Sequence, residues 1–302
     1  MKHFTVIGAP ASSIVAGPDV ALAPEVLRNL GIAGALNADD AGDLDCDFGT
    51  AGSKSVSGLM AQSEVIEATA VIRRRIAQLV SKHTVPIVIG GCCAILPGAV
   101  AGACDATARQ GEMGLAYIDG HTDLYDEETS PEGEAADMAL ATILGRGPGQ
   151  WMNSLGRTPL IKAENAALIG FRDREECEAD GTLLPEDFGP GIAIYDADSV
   201  RGEGAEIAAA NVLAKLSQEP GRFWLHFDVD VLDDELFPAT DYLMPNGLDW
   251  FEVTTLLRTF INAPSLVGMS LTCYNPHKDA GATCGLRLVD LFQAICKPRQ
   301  AR

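Results

Sequence analysis

Short apolar runs rich in β-branched residues alternate with stretches of helical periodicity along the whole chain. This alternation predicts an α/β protein built on a mainly parallel sheet with helices on both faces. Parallel neighbours need crossover connections, and the intervening helices supply them. Two acidic clusters are attached to the ends of two of the runs: Asp119-Gly-His121-Thr-Asp123 and His226-Phe-Asp228-Val-Asp230. They lie where such sheets bind ligands, beyond the carboxyl ends of the strands.

Taken in order, the runs Phe4–Gly8, Val85–Gly90, Leu115–Asp119, Ala166–Gly170, Ile192–Asp196, Phe223–Asp228 and Leu266–Thr272 read as strands. Each is short, apolar and closed by glycine, an acid or a polar residue. The clearest helix is Ser63–Lys82, where Val65, Ala68, Ile72, Ile76 and Leu79 recur at helical spacing. Arg73, Arg74 and Arg75 fall on its other side and read as a solvated face. Ala41–Gly58 and Glu127–Glu134, rich in glycine, proline and acid, read as loops. With no linker and no internal repeat, the chain reads as a single domain over residues 1–302.

Composition narrows the function. A hydrophobic fraction of 47% supplies an ample core, and 42 acidic against 22 basic residues give a net charge of −20. That charge argues against nucleic acid or an anionic membrane as partner. No apolar run approaches the roughly 20 residues of a membrane span. Eight cysteines without a charged-then-apolar leader after Met1 point to a reducing cytoplasm and mostly buried thiols. Gly8 and Gly90-Gly91 lack the spacing of a phosphate loop, so nucleotide binding is unsupported.

In an extended segment, side chains two apart share a face, so Asp119, His121 and Asp123 can converge, as can Asp228 and Asp230. Carboxylates crowded so closely repel unless a cation neutralises them. Oxygen plus imidazole suits a hard or borderline divalent ion. Two further strand ends, Gly90-Gly91-Cys92-Cys93 and Cys273-Tyr274-Asn275-Pro276, reach the same edge. His226 either faces the ions or satisfies a buried hydrogen bond.

At these residues the chain resembles the ureohydrolases, the family of arginase, agmatinase and formiminoglutamase. Ile7-Gly8-Ala9-Pro10, Pro24-Glu25-Val26-Leu27-Arg28, Leu168-Ile169-Gly170-Phe171-Arg172-Asp173 and Phe237-Pro238-Ala239-Thr240 match the family's pattern, alongside the two acidic motifs. The resemblance implies a three-layer fold with about eight strands. It also implies two divalent ions, most simply Mn2+, bridged by Asp119, Asp228 and a hydroxide. Asp123 and His121 would serve one ion each, with Asp230 joining His121. The hydroxide would attack a guanidine or amidine carbon, and Asp123 would orient it and pass a proton to the leaving amine. The resemblance further implies a homo-oligomer, trimeric or hexameric.

Three positions depart from the family. Cys93 stands where a histidine supplies one more metal ligand, leaving the site one unit more negative and one ion weakly held or absent. Cys273 stands where a glutamate pairs with the substrate's guanidinium. Ala136, in Ala136-Asp137-Met138-Ala139, stands where the family carries a proton-shuttling histidine. The first change occurs in the Nω-hydroxy-L-arginine amidinohydrolase branch, which the chain also resembles at Tyr117–His121, Glu128-Thr129, Arg172-Asp173, Asp241-Tyr242 and Pro245-Asn246-Gly247. That branch keeps a glutamate at the Cys273 position.

The resemblance makes Asp126, Glu175 and Glu178 substrate-binding candidates, and His277 lies near enough in sequence to replace the lost proton shuttle. The expected activity is hydrolysis of a linear C–N bond in a small guanidino or amidino compound less basic than arginine. Two alternatives stand beside it. One is a catalytically silent binding or oligomer-forming subunit. The other makes Cys92 or Cys93 a nucleophile with His121 or His226 as its base.

Overall fold

The computed structural model describes residues 2–48, 58–108, 112–218 and 220–296. Its centre is one parallel sheet of eight strands: β1 (Phe4–Ala9), β2 (Asp39–Asp43), β3 (Val85–Gly90), β4 (Gly114–Ile118), β5 (Ala166–Ile169), β6 (Ala193–Tyr195), β7 (Phe223–Asp228) and β8 (Leu266–Thr272). The spatial order is β2-β1-β3-β8-β7-β4-β5-β6. β3, β4 and β7 are buried along their whole length, as expected of strands covered by helices on both faces.

That order positions the site. After β3 the chain passes through helix Leu96–Thr107 to β4, leaving a gap that β7 and β8 later fill. The four adjacent central strands β3, β8, β7 and β4 therefore end side by side, and they carry Cys93, Cys273, Asp228 and Asp119 just beyond or at their last residues. A reversal of strand order makes the crevice in which α/β sheets bind ligands.

Helix Gln62–Ser81 buries Val65, Ala68, Ile72, Ile76 and Leu79 as the spacing predicts, together with Thr69. It packs on Leu96–Thr107, where a Cβ at Gly102 would collide with the carbonyl of Arg73. Arg73 corrects the expectation of a wholly solvated arginine run. Its guanidinium donates to both oxygens of Asp105, at 2.7 and 3.1 Å, and to the carbonyl of Ser154.

β2 was not foreseen. Asp39-Asp40-Ala41-Gly42-Asp43 has no apolar face; it pairs with β1 through the backbone, and Arg28 of helix Ala23–Asn29 ties it down by bridging Asp40 at 3.0 Å and Asp43 at 2.6 Å. Charge on an edge strand also discourages pairing with other chains. The loop expected over Ala41–Gly58 thus begins inside a strand, and its residues 49–57 lie outside the described residues. Glu127–Glu134 is irregular, as expected. Among the described residues no helix is long and apolar enough to cross a membrane, and all eight cysteines are free thiols.

Candidate metal centre

The ligands converge by a route different from simple alternation. β4 ends at Ile118, so Asp119, His121 and Asp123 lie in irregular chain, with Asp123 in the left-handed region at φ 49°. Asp230 lies in a 3-10 turn, Val229–Val231, capped by Asp228, which accepts the Asp230 N–H at 2.9 Å. The two turns lock together: Asp119 Oδ1 accepts the His121 N–H at 2.8 Å, and Asp230 Oδ1 accepts the Gly120 N–H at 3.1 Å. Position 120 must be glycine, because a Cβ there would sit 2.6 Å from the Arg172 guanidinium and 2.7 Å from the Asp230 carbonyl.

Two sets of donor atoms result, each with its members within 4.8 Å of one another, and they share Asp119. The outer set is Asp119, His121 and Asp230, with His121 Nδ1 3.1 Å from Asp230 Oδ2 and 3.7 Å from Asp119 Oδ1. The deeper set is Cys93, Asp119, His226 and Asp228. Here Cys93 Sγ lies 2.9 Å from Asp228 Oδ2 and 3.6 Å from Asp119 Oδ2, and His226 Nε2 lies 3.6 Å from Asp119 Oδ2.

Electrostatics describe a place built for cations. Burial, then the neighbouring Asp230, push the Asp228 carboxyl upward. Burial and Asp119 raise Asp123 well above the carboxylate range, although the Tyr117 hydroxyl, which donates to Asp123 Oδ2, works the other way. Burial alone would lower His121, but Asp230 and hydrogen bonds to Asp119 and Asp230 overcome it and raise the imidazole well above its usual value. Burial also holds the Cys93 thiol high, reinforced by Cys273 and Asp228. The nearby Arg172 spends its hydrogen bonds on the carbonyls of Asp230, Leu232, Met244 and Pro245, not on these carboxylates. Carboxylates packed this deeply, with no lysine or arginine paired to them among the described residues, fit divalent ions as their missing partners.

A cavity of about 180 Å3 opens over the outer set. Eight carboxyl side chains line it, among them Glu132, Glu134, Asp137, Asp173 and Glu176, and no lysine or arginine among the described residues does. Cys93, Ala136 and Cys273 line it too. The Cys273 backbone is held in the left-handed region at φ 67° by its N–H bond to the Gly91 carbonyl, and its sulfur lies 3.8 Å from that of Cys93.

A family model, the Arginase family, matches residues 2–294. The chain belongs to the Arginase family. Among its relatives, the arginase of Bacillus caldovelox is 28% identical over 287 residues, covering 92% of this chain and 93% of the relative. The solved arginase structure from the same organism superposes with a TM-score of 0.85 at 25% identity over the full length of both chains. The proclavaminate amidino hydrolase of Streptomyces clavuligerus shares the fold at a TM-score of 0.71 and 19% identity, covering 98% of this chain and 92% of that one.

Within this member of the Arginase family the site residues expected from sequence divide. Cys93, Asp119, His121, Asp228 and Asp230 come together in the two sets. Asp123 lines the cavity and its Oδ2 accepts from the Tyr117 hydroxyl, but it belongs to neither set. Asp126, Glu175, Glu178 and His277, expected as substrate-binding residues, are not among the residues that line the cavity. Asp126 caps its own turn, accepting from the N–H groups of Glu128 and Thr129. Glu175 and Glu178 face solvent on helix Arg174–Asp180, whose one-residue-shifted Glu176 reaches the cavity instead. The His277 side chain is 62% exposed and pairs with Asp19.

Sequence reasoning missed Tyr117, Glu134, Asp173 and Tyr242. Glu134 Oε1 accepts from the Val15 N–H and from the Tyr242 hydroxyl at 2.7 Å, which fixes its carboxylate in the wall. Asp173 Oδ2 accepts from the Thr122 backbone at 2.9 Å, leaving Oδ1 buried and without a partner. Only Tyr117 left a signal, two residues before Asp119 in the run that ends at the first acidic cluster.

Proposed function

We propose that the protein is a metal-dependent hydrolase of a linear C–N bond in a guanidino or amidino compound whose reacting end is less basic than arginine's, such as an N-hydroxyguanidine or a formimino group. The observation that carries this reading is the pair of ligand sets sharing Asp119 beneath a cavity lined by acids. Membership of the Arginase family and relatives named arginase support the guanidino class. Divalent ions held in these sets lower the pKa of water so that hydroxide is available near neutral pH.

The chain's own residues supply the rest. Asp119, His121 and Asp230 bind at the outer position, where oxygen donors favour manganese. Asp123, held by the Tyr117 hydroxyl and raised by burial, can carry a proton to the leaving amine, the task left open by Ala136. Glu134 and Glu176 in the wall suit an amino group at the substrate's far end. Cys273 offers a neutral thiol where a basic guanidinium would demand a bidentate carboxylate, so a weakly basic head suits it better.

The test is a panel of arginine, N-hydroxyarginine, agmatine and formiminoglutamate with manganese-loaded protein, scored for urea, hydroxyurea or formamide. Release from a weakly basic member, lost on chelation and restored by metal, is expected. Faster hydrolysis of arginine than of its N-hydroxy analogue overturns the substrate preference. No product from any member favours the silent subunit, and activity lost to thiol alkylation but not to chelator favours a cysteine nucleophile.

A further inference from the structure

His226 is fully buried, and its Nε2 is the one ring nitrogen without a hydrogen-bond partner. The ring is fixed from two sides. Nδ1 lies 2.8 Å from the Ser270 hydroxyl, and Tyr117 stacks on the ring at 4.5 Å between centroids. The Ser270 oxygen also accepts the Trp224 indole N–H at 3.2 Å. A hydroxyl oxygen has two acceptor positions, so it can take the His226 Nδ1–H as well. That tautomer leaves a bare lone pair on Nε2. The donor atom that His226 offers lies within 4.8 Å of those of Cys93, Asp119 and Asp228. Asp119 Oδ2, at 3.6 Å, is too distant to be its hydrogen-bond partner.

Resting on the metal-binding reading above, we propose that His226 is a metal ligand and that the deeper ion is held by Cys93, Asp119, His226 and Asp228. The imidazole absent from the end of β3 is supplied two strands away, from β7. Tetrahedral coordination with metal–ligand bonds of 2.0–2.3 Å separates neighbouring donors by roughly 3.3–3.8 Å. The observed separations of 2.9 and 3.6 Å, within an outer limit of 4.8 Å, need only small adjustments around an ion. Thiolate and imidazole with two carboxylates form a borderline donor set that favours zinc, cobalt or ferrous iron, whereas the outer carboxylate and imidazole set is harder. The two positions therefore differ in metal preference. The Nδ1–Ser270 bond is the outer-shell contact that fixes a metal-bound histidine's tautomer.

Cobalt(II) alone, titrated into chelator-stripped protein under reducing conditions, is the probe. At one equivalent, X-ray absorption should read sulfur and imidazole on the same ion, and a sulfur-to-cobalt charge-transfer band should appear. Sulfur without imidazole, or imidazole without sulfur, overturns the assignment. In His226→Asn the tighter cobalt affinity should fall at least about 100-fold, the upper end of what even an outer-shell partner contributes. Adding Cys93→His to that variant should restore the second ion without the charge-transfer band. An affinity unchanged in a folded His226→Asn protein overturns the assignment. Binding as described, without hydrolysis of any guanidino compound, supports the ligand set and removes the proposed activity.

Discussion

Asp228→Asn should change stability in opposite directions with and without metal. The side chain is fully buried and accepts three hydrogen bonds, from the Asp230 N–H, the Cys93 thiol and the Thr272 hydroxyl, each at 2.9 Å. Asparagine keeps this shape. Thiol and hydroxyl can rotate to accept from its amide. In metal-free protein the substitution removes an uncompensated buried charge, worth about 1–3 kcal/mol. At about 2.1 cal/mol/K per residue, a chain of 302 residues has an unfolding entropy near 0.6 kcal/mol/K, so Tm should rise by about 2–5 °C. With metal at about 1,000 times Kd, the native protein gains about 4.1 kcal/mol from the deeper site, which the variant forfeits. The variant should then melt about 2–5 °C lower than the native protein. Scanning calorimetry with chelator and with cobalt reads both signs. A variant less stable than the native protein in chelator refutes the picture of carboxylates awaiting a cation.

The same charges set the pH dependence. Asp123 and Asp228 titrate above their unfolded values, so the metal-free fold loses stability as pH rises from about 4, where free aspartate ionises. His121 is also raised, and its contribution, full below about pH 6.5, is lost at higher pH. Tm in chelator should therefore fall between about pH 4 and pH 8, while metal-loaded protein gains stability over the same range because the ligands must be deprotonated. A chelator curve that rises there is the contrary result. Tyr117→Phe removes the hydroxyl that lowers Asp123, so the limb of the kcat/KM profile that Asp123 sets as proton donor, the basic one, should move to higher pH with kcat reduced about 10-fold. An unmoved limb argues against a proton role for Asp123.

Much of this was legible in the chain because buried parallel strands are continuous apolar runs. β3, β7 and β8 have the bounds their runs predict, and the ligands at their ends follow from topology. β2 was invisible because its five residues include three aspartates, and the Arg28 that pairs with two of them is close in space but not marked by any sequence pattern. The candidate metal ligands were readable as residue types, but not their grouping. Alternation places Asp123 beside Asp119, whereas the chain leaves extended geometry at Asp119 and turns through the left-handed region at Asp123, whose carboxylate accepts from the Tyr117 hydroxyl. The substrate wall was least legible, because which of Glu175, Glu176 and Glu178 reaches the cavity depends on how helix Arg174–Asp180 is seated.

The central claim is a paired metal centre sharing Asp119, and counting ions tests it most directly. Equilibrium dialysis against cobalt followed by elemental analysis should find two ions per chain in the native protein. Asp119→Asn should bind neither at the concentration that saturates the native protein, since both sets lose a ligand. A native protein that binds no ion, or an Asp119→Asn protein that still binds two, contradicts the account.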